Sequence, residues 1–95
     1  MINHVIEQLR NHQAELAKEY QVKRIGIFGS VARGDETAQS DVDILVEFSE
    51  SISFFQLIEL EWHLEQLLGR SVDLVTLEAL KPRIKEQILA DTRYV

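Results

Sequence analysis

The chain has 95 residues, of which 45% are hydrophobic and 27% charged, a composition typical of one small globular domain over residues 1–95. It contains no cysteine, which excludes disulfide bonds and thiolate metal sites. The formal net charge is −6, and no basic stripe offsets it, so we expect no stable binding of DNA or RNA.

The first third of the chain predicts a helix, a strand and a tight turn. Apolar residues in 2–20 follow mostly helical spacing, with an interruption around Asn11 to Gln13, and predict one amphipathic helix. Residues 22–28 are rich in β-branched and aromatic side chains and predict a nearly buried strand. Gly29 and Ser30 end this strand, and residues 31–33 fit a short helical turn.

The middle of the chain predicts a loop, a second strand and a long helix. Residues 34–40 are polar and loop-like, and residues 41–48 alternate as a strand does. Residues 54–68 carry a wide apolar face and predict a helix with Ser53 as N-cap and Gly69 as C-cap. A third strand over 71–77 and a last helix that begins near Pro82 and runs toward Ala90 complete the pattern.

This order of elements predicts an α/β (α+β) domain, in which helices flank a small mixed β-sheet. No apolar run approaches the roughly 18 residues that a membrane span needs. The N-terminus also lacks the pattern of a secretory signal, so we expect a cytoplasmic protein without membrane contact.

The helix over 54–68 contains side chains that allow two interpretations. We expect its aromatic residues Phe54, Phe55 and Trp62 to pack in the core, with a partner surface as the alternative. Its acids Glu59, Glu61 and Glu65 are interpreted as a solvated face.

Three aspartates form the candidate catalytic group. Asp41 and Asp43 lie two residues apart on a predicted strand, so their side chains share one face. Asp73 lies on another strand, and if the two strands are neighbours the three carboxylates converge. Such a cluster is costly without a counter-charge, and Mg²⁺ is the hard cation that oxygen ligands suit. Taken alone, Asp41 and Asp43 could equally be a solvent-exposed pair at a strand edge, and Asp73 could be an edge aspartate paired with a base.

The turn after the first strand is a candidate phosphate site. Gly29 lets a ligand approach the backbone closely, and Ser30 offers a hydroxyl and an N–H at the start of a helical turn. Arg33 could contact the same phosphate or support the loop through an acid. Taken alone, the Gly-Ser pair is also compatible with an ordinary turn between a strand and a helix.

Two segments together resemble the signature of the DNA polymerase β-like nucleotidyltransferases. They are Gly29-Ser30-Val31-Ala32-Arg33-Gly34 and Ser40-Asp41-Val42-Asp43-Ile44-Leu45-Val46. The order of elements is also similar to theirs, and the small size narrows the resemblance to the minimal nucleotidyltransferases, the MntA-like antitoxins.

The resemblance implies a polymerase β palm-like fold and a role for each candidate residue. Gly29 and Ser30 would bind the triphosphate of ATP, Asp41 and Asp43 would ligate Mg²⁺, and Asp73 would help to hold a second Mg²⁺ and activate the attacking hydroxyl. Arg33 matches the basic position of the motif, where it would contact phosphate or support the loop.

The implied activity is transfer of AMP from ATP to a hydroxyl, typically of a tyrosine, on a cognate HEPN-type ribonuclease toxin. The chain would then be the antitoxin of a two-gene module of the type VII kind. One alternative is a non-catalytic binding module that neutralises the partner by occlusion. A further alternative is transfer to the hydroxyl of a small molecule.

Overall fold

The computed structural model describes all 95 residues, and helices alternate with strands much as the sequence predicts. The helices are α1 (Ile2–Asn11), α2 (Gln13–Tyr20), α3 (Gly29–Arg33), α4 (Phe54–Leu68) and α5 (Pro82–Asp91), and a 3-10 turn covers Leu77–Ala79. The strands are β1 (Val22–Phe28), β2 (Val42–Phe48), β3 (Val72–Thr76) and β4 (Arg93–Tyr94). None of the helices combines the length and the apolar character that crossing a bilayer requires.

The four strands form one mixed sheet in the order β3-β2-β1-β4. β1 runs antiparallel to both β2 and β4, whereas β2 and β3 are parallel. A parallel pair needs a long crossover connection, and α4 supplies it. The predicted fold class, a small mixed sheet flanked by helices, is confirmed.

The hydrophobic core lies on one face of the sheet. Alternate strand residues, among them Ile27, Ile44 and Leu74, pack there against side chains of α1, α2 and α4. Because successive strand residues point to opposite faces, Asp43, between Val42 and Ile44 of the core, points away from it. The face of the sheet outside the core is therefore where polar side chains can collect, and α5 packs nearby against α3 and β1.

The predicted single helix over residues 2–20 is wrong, because the chain breaks at His12. His12 Nδ1 lies 2.9 Å from the carbonyl oxygen of Gln8, so the imidazole occupies the acceptor that a helical backbone N–H would use. The backbone N–H of His12 bonds to Leu9 instead. The break allows Leu9 of α1 and Leu16 of α2 both to be fully buried.

The predicted ends of α4 are confirmed, but the predicted burial of its aromatic residues is wrong. Gly69 ends the helix in the left-handed conformation. Phe54, Phe55 and Trp62 are all exposed, whereas Leu60 and Leu64 are fully buried. A helix packed on a sheet can bury only the arc that faces the sheet, and Leu60 and Leu64 occupy that arc.

We predict that Ser53→Ala destabilises the fold by about 1 kcal/mol, the usual cost of losing an N-cap. The Ser53 hydroxyl accepts the N–H of Gln56 at 3.1 Å, and the Gln56 side chain accepts the N–H of Ser53 at 2.7 Å. Urea unfolding measures the change. Ser51→Ala, two residues earlier and outside the helix, is the control and should leave the midpoint unchanged.

Candidate active site

The pairing of β2 with β3 brings two of the three candidate aspartates together. Asp43 and Asp73 are direct partners in the parallel ladder, where neighbouring strands lie about 4.8 Å apart. Both side chains point to the sheet face that does not carry the core. Asp41 lies one residue before β2 and is exposed. The strand order thus pairs Asp43 with Asp73 and leaves Asp41 near Asp43 at the same end of the sheet.

Gly29 lies against Asp43 because β1 and β2 are antiparallel neighbours. Phe28, the last residue of β1, pairs with Asp43, and Gly29 follows with a φ of +72°. A Cβ atom at Gly29 would overlap Oδ2 of Asp43. Only glycine therefore satisfies both the left-handed backbone and the close approach of the carboxylate.

A cleft of about 410 Å³ lies between the Gly29 turn and α5. Asp43, Ser30 and Arg33 border it on one side. The α5 side chains on the other side are Ile84, Gln87, Ile88 and Asp91. The sequence did not predict a role for these four, although their spacing of three and four residues places them on one helix face.

Arg33 is held at the rim of this cleft by two acids. Its Nε lies 3.3 Å from Oδ2 of Asp35, and its Nη1 lies 3.5 Å from Oδ2 of Asp91 on α5. The side chain is half exposed, so each pair contributes little to stability. The two contacts instead orient the guanidinium beside Ser30 and connect α3 to α5.

The carboxylates interact electrostatically in the folded protein. Burial raises the pKa of Asp43 above its usual value, and the nearby carboxylates of Asp73 and Asp41 raise it further. The guanidinium of Arg33 opposes these effects and lowers the pKa. The charged form of the Asp43 carboxylate is thus less favourable than that of a fully solvated carboxylate. A bound cation would reduce this cost.

Two glutamates of α4 line the same end of β3, so the interpretation of all three acids as a solvated face is wrong. The carboxylate of Glu65 accepts the backbone N–H of Val72 at 3.0 Å, directly before Asp73. Burial raises the pKa of Glu61, and the charges of Glu65 and Asp73 add to the effect. α4 therefore fixes the start of β3 and adds negative charge near Asp73.

Arg70 positions the loop that precedes Asp41, a role that the sequence did not predict. Its Nη2 donates to the carbonyl oxygens of Thr37, Ala38 and Ser40 at 3.3, 3.3 and 2.8 Å. Three bonds from one guanidinium hold this polar loop against the start of β3. Only the fold reveals this role, because the partners are backbone atoms about 30 residues earlier.

The candidate aspartates fit a metal ion that takes some of its ligands from the protein and the others from a nucleotide. No group of three or more His, Cys, Asp or Glu side chains is arranged to hold a metal ion by itself. Mg²⁺ normally takes only one or two protein carboxylates and completes its octahedron with phosphate oxygens and water. The carboxylate donors and the space that Gly29 leaves beside Asp43 match that requirement.

Comparison with known proteins identifies the family. The sequence model of the nucleotidyltransferase domain family matches residues 9–95 of this chain. The chain belongs to the nucleotidyltransferases. The predicted resemblance is thereby confirmed, as is the prediction that the chain is an enzyme of this kind.

The similarity to relatives and to solved structures covers nearly the whole of this nucleotidyltransferase. The protein adenylyltransferase MntA of Thermococcus cleftensis is 47% identical over 87 residues, which cover 92% of this chain and 88% of the relative. A structure of a minimal nucleotidyltransferase aligns with a TM-score of 0.76 at 37% identity and covers 93% of both chains. A toxin–antitoxin structure with AMP-PNP aligns at 0.73 and 26% identity, covering 88% of this chain and 69% of that one.

We predict that Gly29→Ala weakens ATP binding in the presence of Mg²⁺ about tenfold or more, because the new methyl group displaces Asp43. Titration with a fluorescent ATP analogue measures binding. Gly34→Ala is the matched control, since Gly34 has a φ of +81° but nothing within 4 Å of a new Cβ. Both variants should lose about 1–2 kcal/mol through backbone strain. Equal nucleotide binding in the two variants would contradict the prediction.

We also predict that Asp43→Asn stabilises the protein at pH 7. The pKa of Asp43 is raised above 3.8, so its contribution to stability is present below pH 3.8 and is lost as the pH rises through the raised pKa. The neutral amide escapes this loss. Urea midpoints should therefore favour the variant at pH 7, and the difference should shrink toward pH 4. Glu7→Gln on the exposed surface of α1 controls for net charge and should show no such pH dependence.

Proposed function

We propose that this nucleotidyltransferase transfers AMP from ATP, with Mg²⁺, to a hydroxyl group of a protein. The observation that carries the proposal is the in-register pair Asp43 and Asp73, with Gly29 packed against Asp43. This arrangement puts the Gly29 turn beside two carboxylates on one sheet face. In-line phosphoryl or nucleotidyl transfer needs the phosphate chain and the carboxylates that hold the metal at one place.

We propose a role for each candidate residue that is consistent with its position. The turn at Gly29 and Ser30 would receive the triphosphate, and Arg33 at the rim of the cleft would bind its outer phosphates. Asp41 and Asp43 would hold Mg²⁺, and Asp73 would share a second ion. Bound Mg²⁺ would neutralise the carboxylates and the negative charge on the phosphate oxygens.

The reaction is a displacement at the α-phosphorus of ATP. The acceptor hydroxyl oxygen forms a bond to the α-phosphorus, while the bond from that phosphorus to the bridging α–β oxygen breaks and pyrophosphate leaves. Asp73 accepts the hydroxyl proton, since it is exposed and adjacent to Asp43. The product is a phosphodiester between AMP and the acceptor.

The proposed acceptor is a tyrosine of a HEPN-type ribonuclease toxin, which makes this chain an antitoxin. Support comes from the relative named as a protein adenylyltransferase and from the aligned toxin–antitoxin structure with AMP-PNP. The net charge of −6 also disfavours a polynucleotide acceptor. Modification would silence the toxin.

We predict that the purified chain, with ATP and Mg²⁺, adds AMP to the product of the adjacent gene. Intact-mass spectrometry should show an adduct of ~329 Da per transferred nucleotide. The double variant Asp41→Asn and Asp43→Asn should form no adduct, because it removes both proposed metal ligands. The double variant Glu7→Gln and Glu19→Gln removes the same charge from exposed surface and should retain activity.

The same variants separate catalysis from occlusion. Ribonuclease inhibition that depends on ATP and is lost with Asp41→Asn and Asp43→Asn supports AMP transfer. Inhibition that survives in this variant without ATP would instead establish a binding module that blocks the toxin.

A further inference from the structure

The outer surface of α4 carries an apolar stripe that the fold leaves uncovered. Its members are Phe54, Phe55, Ile58 and Trp62, with exposed fractions of 71, 75, 48 and 62%. Phe54, Ile58 and Trp62 are spaced four residues apart and form a row, and the ring of Phe55 packs edge-on against that of Phe54. Four large neighbouring apolar side chains on one 15-residue helix mark an interaction surface.

The α4 stripe adjoins the candidate active site. Glu61 and Glu65 lie three residues after Ile58 and Trp62, so each acid neighbours a member of the stripe. The same Glu65 bonds to the backbone of Val72, next to Asp73. A partner seated on the α4 stripe would therefore reach the sheet edge where Asp73 lies.

The charge of α4 indicates the kind of partner. The helix contains Glu59, Glu61 and Glu65 but no lysine or arginine, and the three aspartates add to the same sign. Two copies of this chain docked through α4 would oppose glutamate to glutamate, and an anionic membrane would be repelled as well. A protein surface with an apolar centre and a rim of lysine or arginine is complementary to the α4 stripe and its neighbouring glutamates.

We propose that the α4 stripe is the docking surface for the protein that accepts AMP, and that this acceptor presents an apolar patch with a basic rim. The inference rests on the proposed function and adds the face through which the acceptor is held. Docking there would bring the hydroxyl group of the acceptor to Asp73. The cleft between the Gly29 turn and α5, on the opposite side of Asp43, would stay free for the nucleotide. Aromatic side chains at the centre of such a patch dominate binding.

The test combines Phe55→Ala with Trp62→Ala and uses the product of the adjacent gene as the acceptor. Both side chains are exposed, so the variant should fold. Calorimetry without nucleotide should show acceptor binding weakened about tenfold or more, and the KM for the acceptor should rise by a similar factor. The KM for ATP should not change. Glu59→Lys should also weaken acceptor binding, whereas Glu7→Lys on α1 should not.

The possible outcomes distinguish this inference from the proposed function. Unchanged acceptor binding in the double variant overturns the docking surface and leaves AMP transfer intact. A wild-type chain that binds the acceptor through the α4 stripe but transfers no AMP overturns the proposed function alone. Sedimentation of the chain by itself completes the test, because a dimer that the double variant dissociates would identify the stripe as a contact between copies. A wild-type chain that neither binds nor modifies this acceptor overturns both.

Discussion

Repulsion among carboxylates at one end of the sheet is the constraint on which the site depends. Asp43 is partly buried, faces Asp73 across the β2–β3 ladder and has Asp41 nearby, so its pKa is raised. A fold selected for stability alone would separate these charges or pair them. The proposed cation would offset this repulsion and would bind together with a phosphate chain, which gives a physical reason for the acids to lie on one face.

The small sheet solves this problem by division of its two faces. The buried residues on the core face are all apolar, and no polar or charged side chain is buried among them. The other face can then hold acids without disruption of the packing beneath. Gly29 lets the turn approach Asp43, and Arg70 and Glu65 tie the surrounding backbone in place. The carboxylates are thus positioned by backbone contacts as much as by side-chain contacts.

The proposed function extends beyond the proposed nucleotide site to the outer side of α4. One arc of this helix completes the core, a second arc fixes β3 through Glu65, and a third exposes the α4 stripe. A single helix thus connects the stability of the domain, the placement of Asp73 and the proposed contact with an acceptor. In a chain of 95 residues, few elements are free to serve only one purpose.

The sequence by itself determined the α/β alternation, the Gly29 turn and the aspartates, because apolar periodicity, turn chemistry and paired carboxylates are local patterns. It did not reveal the break at His12, the loop contacts of Arg70 or the α5 wall of the cleft, since each depends on atoms distant in sequence or on competition for one carbonyl. It also misplaced Phe54, Phe55 and Trp62, because hydropathy cannot tell an arc that meets the sheet from one that meets solvent. Only the tertiary structure decided that Asp43 and Asp73 are partners, because strand order and register are set by packing of the whole chain.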